Sequence, residues 1–323
     1  MRQKIQMNGS SNTSVKGKSM TLQQGIDLFK AHCVARNLAP ASMKTYEYYI
    51  AHLVDDIGSD KPLCEINASV IEQHAVWLRD QGKNNDVSIA TNIKHLRVMF
   101  YYLMESGYMD TFKIKAPKYV KDVKETYTES ELQALLKKPN VKECSFTTYK
   151  TWVMINYMLA TGNRLSTMIN LKIQDLDFDS GMITLHVTKS KKAQIIPMSH
   201  ALVDILVEYL QIRGGQPDDY LFCNVYGEQA NKKCVQDAIA AYNTKRGVEK
   251  HSIHLFRHTF AKMWILNGGD VFRLQKVLGH ADLNTTRNYV NLYSTEIQEN
   301  YEQFSPLDNL RQKDRDKRIS MKK

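Results

Sequence analysis

Apolar residues recur at three- and four-residue spacing through four successive stretches near the start of the chain. These are LQQGIDLFKAHCVAR, ASMKTYEYYIAHLVDDIG, ASVIEQHAVWLRDQG and SIATNIKHLRVMFYYLMESG. That period places the apolar side chains on one face of a helix, so each stretch predicts an amphipathic helix. Gly58, Gly82 and Gly107 close three of them, where a left-handed C-cap would sit. Residues 21–110 are therefore expected to form a small bundle of four or five helices. The stretch TFKIKAPKYVKDVKET, residues 111–126, breaks the pattern with lysines and Pro117 and reads as a linker.

A second domain is expected over residues 127–305. It opens on Thr128-Glu129-Ser130-Glu131, a capping box ahead of LQALLKK. FTTYKTWVMINYMLATG follows as a strongly apolar helix ending near Gly162. GMITLHV (181–187) and QIIPM (194–198) read as two strands of a hairpin around the basic turn TKSKKA. ALVDILVEYLQIRGG is amphipathic, and further helices fit around Val235–Thr244, His254–Leu266 and Val271–Leu278. The expected class is mainly α with one small antiparallel β-sheet. No internal repeat or low-complexity block interrupts it.

Composition narrows the function. No apolar run approaches a membrane span, and the polar opening MRQKIQMNGSSNTSVKGKSM lacks the apolar core of a secretory signal. The five cysteines (Cys33, Cys64, Cys144, Cys223, Cys234) are scattered, without a C-x-x-C pair, which suits a reducing cytoplasm better than a disulfide framework. There is no H-E-x-x-H, Walker loop or G-x-G-x-x-G, so nothing in the pattern asks for a metal, nucleotide or dinucleotide cofactor. The formal net charge of +10 invites a nucleic-acid partner. Most of that charge sits at the ends, however. Residues 1–20, read as a disordered tail, hold four basic side chains and no acids; residues 311–323, within a basic tail over 306–323, hold seven basic and two acidic. The body is near neutral apart from the linker, so a DNA-binding body must gather its positive charge on one face.

Three stretches place polar residues inside otherwise apolar patterns: TGNRLSTMINL with Arg164, HLFRHTFA with His254, Arg257 and His258, and LGHADLNTTRNYV with His280 and Tyr289. Taken alone, the last reads as a helix end at Gly279 followed by a helix whose tyrosine packs into the core. Together the stretches resemble the tyrosine recombinase (phage integrase) family. The resemblance spans most of the second domain. Thr161-Gly162-Asn163-Arg164-Leu165-Ser166 is similar to the T-G-x-R-x-S motif of the family's first arginine. His254, Arg257 and His258 match the H-x-x-R-H box, and Leu278-Gly279-His280 the L-G-H motif. Tyr289 stands at the nucleophile's nine-residue spacing from that histidine. Lys189 corresponds to the hairpin lysine, with Lys191 and Lys192 sharing the turn.

The resemblance implies a helical core-binding domain (SAM-like) followed by a catalytic domain, and a site-specific recombinase of integration, excision or resolution. By that likeness Tyr289 attacks a DNA phosphate and keeps the bond energy as a 3′-phosphotyrosine, so that neither ATP nor a metal is required. Arg164 and Arg257 suit the non-bridging oxygens, since a guanidinium fork matches phosphate geometry. His254 and His280 add donors or handle protons, and Lys189 protonates the leaving 5′ oxygen. His258 is read as a packing or supporting histidine, and Tyr157 as core. The implied partners are double-stranded DNA, a homotetramer on paired sites, and accessory DNA-bending or directionality factors, with a cytoplasmic, nucleoid-associated location. LYSTEIQENYEQF, after Tyr289, reads as a short helix that docks on a neighbouring subunit. Two positions depart from the family pattern: Thr167 stands where an acid usually follows the first arginine, and Gln194 where a strand residue is commonly basic. A type IB topoisomerase uses a similar residue set; the short catalytic domain and the tail argue for the recombinase.

Overall fold

The computed structural model describes residues 20–120, 125–186, 193–280, 282, 283, 286, 287 and 289. The terminal tails, the basic turn with Lys189, and the segment after Tyr289 lie outside the described residues. The chain divides into two compact units, residues 1–122 and 123–323.

The first unit is helical: α1 Leu22–Ala35, α2 Pro40–Ile57, α3 Ala68–Asp80 and α4 Asp86–Glu105. Each start follows its local chemistry. Thr21 and Gln24 form a capping box on α1, Pro40 occupies the first turn of α2, and Asn67 and Asn85 cap α3 and α4 through their side-chain oxygens. The apolar faces meet in one core around Phe29, Leu53, Leu63, Leu96, Phe100 and Leu103. α4 is the central element, packed on by α1, α2 and α3.

The second unit begins with α5, Glu129–Leu136, whose capping box pairs Thr128 with Glu131 as the sequence predicts. α6, Phe146–Thr161, follows and is almost wholly buried. After α7, Leu165–Met168, come the strands β1 Leu176–Asp177, β2 Met182–Leu185 and β3 Gln194–Pro197. They form an antiparallel sheet in the order β1-β2-β3, with Ile183 opposite Ile196 in the hairpin. The expected two strands thus gain a third; β1 is two residues long, too short to carry a hydrophobic period. α8 His200–Arg213, α9 Lys232–Lys245, α10 His254–Leu266 and α11 Val271–Leu278 complete the unit. α6 runs through the middle, packed against α5, α8, α9 and α10, which buries its sides all round and explains its weak amphipathicity.

Tyr127, ahead of α5, pins the start of the unit to the helix that carries the H-x-x-R-H box. Its backbone N–H donates to Thr259 Oγ1 at 2.9 Å, its ring lies 4.6 Å from that of Phe256, and its hydroxyl accepts from Asn243 Nδ2 at 3.1 Å. Burial pushes the phenols of Tyr127 and Tyr242 up to about 12, and those of Tyr149, Tyr157 and Tyr209 further. A phenol raised above its unfolded value contributes stability that is complete below that value, near pH ~10, and lost as pH rises through the folded value. The unit is therefore expected to lose stability steeply between about pH 10 and 12. Denaturant unfolding of Tyr127→Phe across that range checks it, with a shallower fall in the variant.

Candidate active site

α6 ends because Gly162 adopts a left-handed conformation, φ +62°, and its N–H closes the last turn on Met158 O at 2.9 Å. The position also tolerates no side chain. A Cβ there would lie 2.5 Å from Phe260 Cδ1 and 2.8 Å from Leu278 Cδ2, so the C-terminal end of α6 is pressed between α10 and α11. The next residue, Asn163, is buried and donates through Nδ2 to the Tyr157 hydroxyl at 2.6 Å, which anchors the loop to the core of α6. Arg164 then leaves the loop in extended conformation at the start of α7.

Arg257 projects from α10 into this junction. Its Nη1 donates to Gly162 O at 2.8 Å, and its Nη2 donates to Leu278 O at 2.8 Å and to His280 Nε2 at 2.7 Å. A guanidinium has only donors, so Nε2 of His280 is the acceptor and the ring proton sits on Nδ1. That Nδ1–H donates to Oγ1 of the fully buried Thr286 at 2.8 Å. Upstream, α11 ends at Gly279, φ +62°, and Gln194 of β3 donates through Nε2 to the helix-end carbonyls of Lys276 and, at 2.9 Å, Val277. Gln194 is thus a cap on α11, fixing the root of the hairpin beside the L-G-H turn.

Tyr289 is 2% exposed and packs with Ala261, Leu274 and Leu278. Its ring is parallel to that of His280 within 5°, centroids 6.3 Å apart, and its hydroxyl lies 2.8 Å from His258 Nδ1. Both readings of this tyrosine hold in one place: it is a core residue, and it faces the polar cluster.

Electrostatics bind the group together. Burial, and next the like charge of Arg164, lower the Arg257 guanidinium to about 10; Arg164 is itself lowered by burial. Burial raises the Tyr289 phenol, opposed by the charges of Arg257 and Arg164. Among the described residues neither arginine forms an ion pair with a carboxylate, and Thr167, buried with its N–H on Arg164 O at 2.9 Å, brings none. Two half-compensated cations around a hydroxyl make a cradle for an anion.

The structure brings together Arg164, Arg257, His280 and Tyr289. His254 opens α10 one turn before Arg257 and is exposed. Lys189 lies outside the described residues, as do Lys191 and Lys192. Sequence reasoning missed Thr286 and the contact of His258; Thr286 stands three residues before Tyr289, the spacing of one helix face. Among the described residues no group of His, Cys, Asp or Glu could hold a metal ion, and no helix is long and apolar enough to cross a membrane.

Gly162→Ala is expected to destabilise the second unit by about 1–3 kcal/mol, because a strained φ meets a closed space. Gly181→Ala, with φ +66° and nothing within 4 Å, meets the strain alone and should lose less. Thermal unfolding of the two full-length variants checks the order.

Known proteins resemble this chain over both units. Residues 125–296 match the phage integrase family, and residues 26–120 match the phage integrase SAM-like domain. The tyrosine recombinase XerD of Listeria monocytogenes serovar 1/2a is 28% identical over 286 residues, 84% of this chain and 95% of that protein. Among solved structures, the Tn1549 transposon integrase in complex with a circular intermediate DNA superposes with a TM-score of 0.69 at 20% identity, covering 87% of this chain and 100% of that one. A lambda integrase tetramer bound to a Holliday junction gives 0.68 at 17% identity, over 85% of this chain and 78% of that one. With a helical first unit, a matched second unit and the motif residues gathered at one site, this chain belongs to the phage integrase family of tyrosine recombinases.

Proposed function

We propose that Tyr289 is the nucleophile of this site-specific DNA recombinase and that Arg164 and Arg257 hold the scissile phosphate. The supporting observation is that the buried Arg257 and the half-buried Arg164, without a carboxylate partner among the described residues, both act on the phenol through their charge. The Tyr289 oxygen bonds to phosphorus as the bond to the 5′ oxygen breaks, leaving a 3′-phosphotyrosine and a free 5′ hydroxyl. Attack by the 5′ hydroxyl of an exchanged strand reverses the step and restores the phosphodiester. Because the two linkages are close in energy, the protein needs chiefly to stabilise charge on the pentacoordinate transition state. Preorganised donors at such a site are each worth ~3–4 kcal/mol.

His280 fits a supporting role, since its bonds to Arg257 and Thr286 fix the ring beside Tyr289. His254, exposed one turn ahead of Arg257, is placed to donate to an incoming phosphate. Lys189, on the basic turn of the hairpin, serves as acid for the 5′ oxygen. The substrate is duplex DNA at the nucleoid, engaged by both units with the lysines of residues 111–126 along the backbone. Exchange between two sites calls for four protomers, as in the lambda integrase tetramer on its Holliday junction.

A nicked duplex enriched from a random-sequence library by binding to the full chain supplies the test. Wild-type protein should form a covalent adduct stable to denaturation, and Tyr289→Phe should form none. Arg164→Ala should cut adduct formation by ~10²–10³ while duplex binding changes little. An adduct that survives Tyr289→Phe, or binding without any adduct, contradicts the reading.

A further inference from the structure

A phenol that attacks phosphorus must lose its proton, and the site narrows the choice of acceptor. Burial raises Tyr289, so the hydroxyl is protonated near neutrality. Arg164 and Arg257 carry donors only. The Nε2 lone pair of His280 is taken up by Arg257 at 2.7 Å, and its Nδ1–H is spent on Thr286 at 2.8 Å. Nδ1 of His258 lies at hydrogen-bond distance from the attacking oxygen, 2.8 Å away. The charge of the Arg257 guanidinium lowers the phenol, opposing the effect of burial. In the tautomer with its proton on Nε2, His258 presents the Nδ1 lone pair to the Tyr289 hydroxyl and accepts its proton across that contact.

We propose that His258 is the general base of the cleavage step and, in religation, the acid that returns the proton to Tyr289. As the phenol oxygen bonds to phosphorus, its O–H bond breaks and the proton passes to His258 Nδ1. The bond from phosphorus to the 5′ oxygen breaks, and that oxygen takes a separate proton from the acid on the leaving side. On religation the 5′ hydroxyl gives up its proton there, and His258 reprotonates the departing tyrosine. Geometry favours this assignment: His258 directly follows Arg257 on α10, so the helix that sets the phosphate ligand also sets the base. The ring centroids of His258 and Tyr289 lie 5.6 Å apart, tilted at 50°, with the Nδ1 edge of the imidazole at the hydroxyl.

This inference rests on Tyr289 as nucleophile, and the experiment separates the two. Single-turnover adduct formation is measured against pH on the enriched nicked duplex, and on the same duplex with sulfur in place of the bridging 5′ oxygen. A thiolate leaves without needing a proton, so that substrate relieves the acid and not the base. His258→Ala and His258→Asn are compared with wild type, with thermal melting and duplex binding confirming that each is folded. Asn keeps an oxygen able to accept a hydrogen bond but cannot take up a proton.

Both variants should be slower by ~10²–10³, within the range for a general base, and should lose the acid limb of the pH profile. The deficit should persist on the sulfur substrate, where that of Lys189→Ala should shrink. A His258→Asn variant with wild-type rate and pH profile, or a deficit that the sulfur substrate removes, overturns the assignment of His258 and leaves Tyr289 standing. Adduct formation by Tyr289→Phe would overturn the nucleophile, and with it this inference.

Discussion

The guanidinium of Arg257 is the tie on which the second unit's site depends. It gathers Gly162 O from the end of α6, Leu278 O from the end of α11, and the ring of His280. The two carbonyls come from the C-terminal ends of helices, where carbonyls lack intrahelical donors and must be satisfied by something else. One planar, five-donor group meets that need for two helices at once. The glycines follow from this: only a left-handed Gly162, with no Cβ, lets α6 turn away while its carbonyl faces the guanidinium in the gap between Phe260 and Leu278. The geometry of these helix ends is therefore also the geometry of the proposed reaction centre.

That arrangement carries an electrostatic cost. A buried guanidinium is expensive, and a second one nearby makes it more so; Arg257 is driven down to about 10 by burial and by Arg164. Carbonyls and a neutral imidazole offset part of the cost without cancelling the charge. In the proposed reaction a phosphate supplies what is missing, and the gain is greater as negative charge builds on the transition state. Folding holds the donors in place beforehand, so little reorganisation is left for the moment of reaction.

The sequence disclosed what is local. Helical periods, caps and closing glycines located nearly every helix, and α10 and α11 agree with expectation to the residue at both ends. The motif spacing also pointed to Arg164, Arg257, His280 and Tyr289 as neighbours. What escaped the sequence was pairing over distance. β1 is too short to show a period. Gln194 read as a missing basic residue, because its bond to α11 spans more than eighty positions. His258 read as packing, because its partner lies 31 residues on. Tyr157 was rightly placed in the core, yet its hydroxyl also holds Asn163. A polar atom on a buried side chain signals that a partner exists, and only the fold says which.

The central claim is that one phenol oxygen, buried in the free protein beside two guanidiniums, becomes bonded to DNA. The most direct measurement is mass-spectrometric mapping of the covalent adduct after digestion of protein and DNA. The account predicts a nucleotide 3′-phosphate on the peptide containing Tyr289, at the tyrosine itself. The phosphate on another residue, such as Tyr293 or Tyr301 on the same stretch, would contradict it.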